Sequence, residues 1–78
     1  MRIVTWNVNG IRAAIRKGLD RFFEKIDADV WMLQEVRCLS EQLPKDWRIP
    51  EGHEMILHPA QKKGYSGVAT ISRVEMDE

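Results

Sequence analysis

Polar and apolar positions along the chain alternate between strand-like and helix-like periods. Arg2-Ile3-Val4-Thr5-Trp6 is rich in β-branched and aromatic residues and runs into the turn-forming cluster Asn7-Val8-Asn9-Gly10. That combination predicts a strand with a polar exit. From 11 to 27, apolar Ile11, Ala14, Ile15, Leu19, Phe22, Phe23 and Ile26 recur at spacings of three and four, the period of a helix. Gly18 is expected to split this stretch into a short helical turn and a main helix from Leu19 to Ile26. Asp27-Ala28-Asp29 breaks the pattern. Val30-Trp31-Met32-Leu33 is a continuous apolar run followed by Gln34-Glu35, as in a strand covered on both faces. One helical turn is expected over Leu39–Leu43, then irregular chain through Pro44, Pro50 and Gly52. Two more strands are predicted over Glu54–His58 and Gly67–Ser72, with Pro59–Ser66 as a hairpin-like connection between them. The chain has no internal repeat, low-complexity tract or interdomain linker.

Strand, helix, strand in this order predicts adjacent strands with a helix packed over them, an α/β arrangement. One helix and a half can cover only one face of a four-stranded sheet. Simple alternation would not let Trp6, Trp31 and Met55 share that face, so large apolar groups would meet water, which is unusual for a monomer. The expectation is that residues 1–78 are the N-terminal portion of a larger domain, not a complete one, and that a further layer covers the open face.

Composition narrows the setting. Ordering 78 residues costs on the order of 100 kcal/mol, at roughly 1.5 kcal/mol per residue, and chains this short often need a staple. The single cysteine, Cys38, excludes an internal disulfide. Cys38, His53 and His58 lack the spacing of a zinc finger. No apolar run approaches the length of a membrane span, and the first residues have no signal-peptide layout. A reducing, intracellular setting, the cytoplasm by default, is expected. Net charge is zero, yet residues 1–26 carry six basic and two acidic side chains while residues 27–78 carry six and ten. The basic N-terminal part points weakly to an anionic partner; solvated helix charges are the plainer explanation.

The candidate chemistry lies where two strands end. The first delivers Asn7 and Asn9, the second Gln34 and Glu35; if the strands are parallel neighbours, these groups share one edge of the sheet, the edge that ligands favour in open α/β sheets. A carboxylate directly after an apolar strand is expected to be poorly solvated and to want a cation or donors. Mg²⁺ suits one or two carboxylates plus water and phosphate, and Asn7 could hold Glu35 by a side-chain hydrogen bond. Spacing alone favours a plainer role, with Glu35 capping a turn and the asparagines shaping a loop. Gln61-Lys62-Lys63-Gly64-Tyr65-Ser66-Gly67 offers close backbone approach, charge and a stacking face to a phosphate backbone, or is an ordinary turn. Arg12 and Arg37 follow the two polar strand ends and could grip phosphates, or lie on the surface. His53 and His58 have no link to Glu35. Cys38 is expected to be a buried or inert thiol, and Trp6, Trp31 and Trp47 to be packing residues.

Taken together, Thr5-Trp6-Asn7-Val8-Asn9-Gly10-Ile11-Arg12-Ala13, Asp29-Val30-Trp31-Met32-Leu33-Gln34-Glu35 and Gly64-Tyr65-Ser66-Gly67-Val68-Ala69 resemble the N-terminal part of the exonuclease III / apurinic-apyrimidinic endonuclease family. The resemblance runs through essentially the whole chain. It implies a four-layer α/β sandwich of two packed mixed sheets flanked by helices. It also implies hydrolysis of DNA phosphodiesters with Mg²⁺ or Mn²⁺, 5′ to abasic sites and at 3′ ends. By that resemblance Glu35 is the metal-binding glutamate and Asn7 the asparagine of the active-site strand. Asn9 takes a position that is Asp in some members and Asn in others. Arg12, Arg37, Lys62, Lys63, Gly64 and Tyr65 fall where the family touches DNA. Arg37 stands where many members carry Lys, which keeps charge but alters geometry. The family's water-activating residues have no counterpart in these 78 positions, so the segment is expected to be inactive alone. Two other functions stay open: a non-catalytic DNA- or partner-binding remnant, and a phosphatase-like relative acting on small phosphoesters.

Overall fold

A computed structural model of the chain describes residues 1–58 and 67–75. The β-branched opening run forms β1 (Ile3–Asn7), and the apolar run forms β2 (Val30–Gln34). They pair in parallel, with Ile3 opposite Val30 and Asn7 opposite Gln34. A parallel pair needs a crossover, and the stretch of helical period supplies it as α1 (Ile11–Arg16) and α2 (Leu19–Lys25). The break between them is at Gly18, which holds φ +106°, a conformation that costs glycine little. A single 3₁₀ turn covers Ser40–Gln42. β3 (Glu54–His58) and β4 (Val68–Ser72) pair antiparallel, and β4 also pairs antiparallel with β2. The sheet is therefore mixed, in the order β1-β2-β4-β3. The connection expected over Pro59–Ser66 lies outside the described residues.

Register decides which side chains share a face, because side chains alternate with period two. Val4, Trp31, Ile71 and Met55 line up across the four strands, and Trp6, Leu33, Ala69 and Leu57 form the next row. Trp6, Trp31 and Met55 thus lie on one side, contrary to the expectation that alternation would separate them. All three fall at the same parity once the strands are paired, and sequence alone does not give that parity. This face packs under the helices: Trp31, Leu33, Ala69 and Ile71 are buried against Ile11, Ala14 and Leu19. The chain at 39–50 completes the cover. Trp47 is buried there, its indole Nε1–H donating to Asp20 Oδ1 at 2.8 Å, and Phe23 stands edge-on to Trp31 with ring centroids 4.9 Å apart.

The opposite face carries Ile3, Val30, Met32, Ile56 and Val68 among polar neighbours. Ile3 is 53% exposed, Met32 43% and Val68 44%. β2 is therefore covered on one face only among the described residues, not on both as its apolar run predicts. The expected open apolar face is present, but aliphatic residues make it rather than tryptophans.

The end of the sheet where β2 begins is tied by charge. Arg73 donates from Nε to Asp29 Oδ1 at 2.8 Å and from Nη1 to Asp27 Oδ1 at 2.7 Å, and the Arg2 N–H donates to Asp29 Oδ2 at 2.7 Å. These donors hold the Asp29 carboxyl below the usual carboxylate range, the Arg2 amide foremost and Arg73 next.

Candidate metal and nucleic-acid site

Because β1 and β2 run parallel, both polar exits leave from the same edge. Hydrogen bonding continues beyond the strands. Val8 N–H donates to Gln34 O (3.0 Å), Gly10 N–H to Glu35 O (2.8 Å), Ile11 N–H to Val36 O (2.9 Å) and Val36 N–H to Gly67 O (3.0 Å). Three chain segments are thereby laced into one rigid rim. Val36, fully buried, anchors it from below. On either side of Val36 the backbone is left-handed, at φ +54° for Glu35 and φ +53° for Arg37, and Asn9 has φ +48°. Left-handed non-glycine residues are uncommon and gather at functional sites.

This backbone brings the predicted groups together. The Asn7 side-chain amide donates from Nδ2 to Glu35 Oε2, while its Oδ1 accepts the Asn9 N–H at 2.9 Å. Arg37 Nη2 donates to Glu35 Oε1 at 2.7 Å. Among the described residues each oxygen of the Glu35 carboxylate therefore has one donor. An ionised carboxylate offers about four acceptor sites, so lone pairs remain for a cation. The Glu35 side chain is 33% exposed, better solvated than its place after an apolar strand predicts.

The donor set favours one kind of metal. Among the described residues no group of three or more His, Cys, Asp or Glu side chains converges. A single carboxylate with room for water and phosphate fits a hard divalent ion of the magnesium type.

The remaining predicted residues divide. Arg12 is exposed on the first turn of α1 and lies near enough to Cys38 to act on its thiol. Burial pushes that thiol up, Arg12 opposing and Glu41 adding to the effect; Cys38 is the buried thiol expected. Lys62, Lys63, Gly64 and Tyr65 lie outside the described residues, although Gly67, which follows them, is hydrogen-bonded into the rim. His53 sits at the other end of β2, its Nδ1 and Nε2 within 3.0 Å of Glu51 O and 3.4 Å of Ala28 O. His58 ends β3 on the row of Asn7 and Gln34, with β4 and β2 between. Sequence reasoning missed two features. One is the Arg37–Glu35 pair, whose only sequence signal is the two-residue spacing after a strand exit. The other is a cavity of about 130 Å³ beside Asn9, lined by Trp6, Lys17, Leu19 and Phe22.

Residues 4–78 match the Endonuclease/Exonuclease/phosphatase family. The chain belongs to this family. It is 42% identical over 78 residues to the DNA repair nuclease APEX1 of Danio rerio, covering 96% of this chain and 25% of that protein. It is 39% identical over 77 residues to an exodeoxyribonuclease of Bacillus subtilis, covering 96% and 29%. The structure superposes on the catalytic domain of Xenopus laevis APE2 with a TM-score of 0.69 at 41% identity, covering 92% of this chain and 23% of that one. These similarities bear out the resemblance carried by the three motifs and the α/β fold it implies. The chain spans 25% and 29% of the length of these two curated relatives, and 14% of an AP endonuclease 2 of Xenopus laevis.

Proposed function

We propose that this chain carries the metal anchor and part of the DNA grip of a divalent-metal-dependent DNA repair nuclease. The reaction is hydrolysis of a phosphodiester, 5′ to an abasic site and at 3′ ends. One observation carries this reading: Asn7 and Arg37 hold the two oxygens of Glu35 at the shared edge of two parallel strands. In this reading Glu35 holds Mg²⁺ or Mn²⁺, with Asn7 orienting the carboxylate and sharing the site, and Asn9 fixing Asn7 through its N–H. Bound there, the ion supplies neutralisation of charge growing on the phosphate. Arg12, Arg37, Lys62, Lys63, Gly64 and Tyr65 take the DNA backbone, with Arg suited to bidentate phosphate contact. Activation of the attacking water falls to the part of the relatives' length that this chain does not span. The same part supplies the layer over Ile3, Met32 and Val68, which makes residues 1–78 a portion of one domain.

Supplying the remaining segment of an exodeoxyribonuclease relative in trans, and assaying Mg²⁺-dependent nicking of an abasic duplex, tests the proposal. The complemented protein is expected to nick, the chain alone not. Full activity in Glu35→Ala would overturn the metal assignment. The basic N-terminal part keeps a second reading in view, a non-catalytic DNA-binding segment. That reading predicts salt-sensitive duplex affinity of the chain alone and no cleavage after complementation. A phosphatase-like protein would instead hydrolyse a soluble phosphoester in preference to abasic DNA.

A further inference from the structure

We infer that Arg37 is a resident counter-ion of Glu35 that competes with the metal, so that cation uptake is coupled to the arrival of a phosphate. The inference rests on the reading of Glu35 as the metal anchor and goes beyond it. Arg37 Nη2 lies 2.7 Å from Glu35 Oε1. Both residues stand on the same side of buried Val36, on backbone fixed by Gly10, Ile11 and Gly67. The backbone that carries the pair is therefore fixed by the rim, while the side chains meet at its surface. As an electrical object it is neutral, one carboxylate against one guanidinium. A divalent ion approaching it gains little from Glu35 that Arg37 does not cancel.

The two partners of the carboxylate differ in what holds them. Asn7 is pinned on its other side by the Asn9 N–H, whereas the Arg37 side chain is 51% exposed. Exposed ion pairs are weak, so Arg37 is the partner that can leave. A phosphodiester offers the guanidinium a bidentate alternative to Oε1. Once Arg37 turns to phosphate, the full charge of Glu35 faces the cation. Metal and phosphate then favour each other's binding, and the coupling is reciprocal. Arg37 acts in this scheme twice, on the phosphate it grips and, through Glu35, on the cation.

The test titrates Mn²⁺ into the chain and reads free ion by electron paramagnetic resonance. Parent, Arg37→Gln, Arg37→Lys and Glu35→Gln are compared at low salt, with and without a duplex bearing a tetrahydrofuran abasic analogue. Without DNA, Arg37→Gln is expected to bind Mn²⁺ about tenfold more tightly, the effect of removing one like charge a few ångströms from a divalent ion. Arg37→Lys, which keeps the charge, is expected to stay within about twofold of the parent. DNA is expected to tighten Mn²⁺ binding in the parent and to do so less in Arg37→Gln. Unchanged or weaker Mn²⁺ binding in Arg37→Gln, with Glu35→Gln losing it, overturns the competition and leaves the metal anchor standing. Parent-like binding in Glu35→Gln overturns both.

Discussion

At the scale of single residues, the rim is built from backbone conformations that most side chains avoid. Glu35, Arg37 and Asn9 all sit in the left-handed region. Such positions persist only where surrounding bonds over-determine them, here the lacing from Val8, Gly10 and Ile11. Gly10 has φ +92° and open space where a Cβ would be. The penalty for a side chain there is purely one of backbone. Gly10→Ala is accordingly expected to cost about 1–2 kcal/mol, measured by urea denaturation. It should also loosen the Gly10 N–H bond to Glu35 O, seen as faster amide exchange at Gly10.

At the scale of elements, two tethers hold the covering layer and the sheet in place. The first joins the irregular 44–50 stretch to α2 through Trp47 and Asp20. Trp47→Phe keeps an aromatic ring under the helix but loses the indole donor and some volume, and is expected to cost about 1–2 kcal/mol, read as a lowered urea midpoint with an unchanged slope. The second tether is the Asp29 cluster with Arg2 and Arg73 at the start of β2. The folded-state pKa of Asp29 lies below its ordinary value of 3.8. Its stabilising contribution is therefore complete above that value and lost as pH falls below it toward the folded-state pKa. In Asp29→Asn this part of the acid sensitivity should vanish. Thermal melts of parent and variant compared from neutral pH downward are expected to draw together as pH falls below 3.8.

At the scale of the whole molecule, the sheet has one finished face and one unfinished. Ile3, Met32 and Val68 form an exposed aliphatic surface beside strands whose outer edges, on β1 and β3, are unpaired among the described residues. Both features promote association between chains. The chain in solution is expected to self-associate with rising concentration. Met32→Lys with Val68→Lys should suppress this in light scattering while leaving the finished face intact. Failure of the double variant to lower the scattering would mean that association runs through the edges instead.

How far the chain could be read without coordinates depends on the range of the forces involved. The strands, the helix broken at Gly18 and the turn before Pro44 follow from local period and from residues with restricted backbones, and these act over a few positions. Asn7, Glu35 and Arg37 stood out as candidates only through the resemblance carried by the three motifs together, since spacing alone favoured a turn cap, a shaped loop and a surface arginine. The face shared by Trp6, Trp31 and Met55 was not legible, since one residue of register reverses it and register is set by pairing across the sheet. Nor was the partnership of Arg37 with Glu35, which needs two left-handed residues around Val36. That geometry accompanies a buried Val36 whose N–H bonds Gly67 O, an interaction between segments about 30 positions apart. The sequence by itself determined which elements form and which groups reach the sheet edge. The tertiary structure alone decided which of those groups meet, because pairing and burial act between residues that the chain order keeps apart.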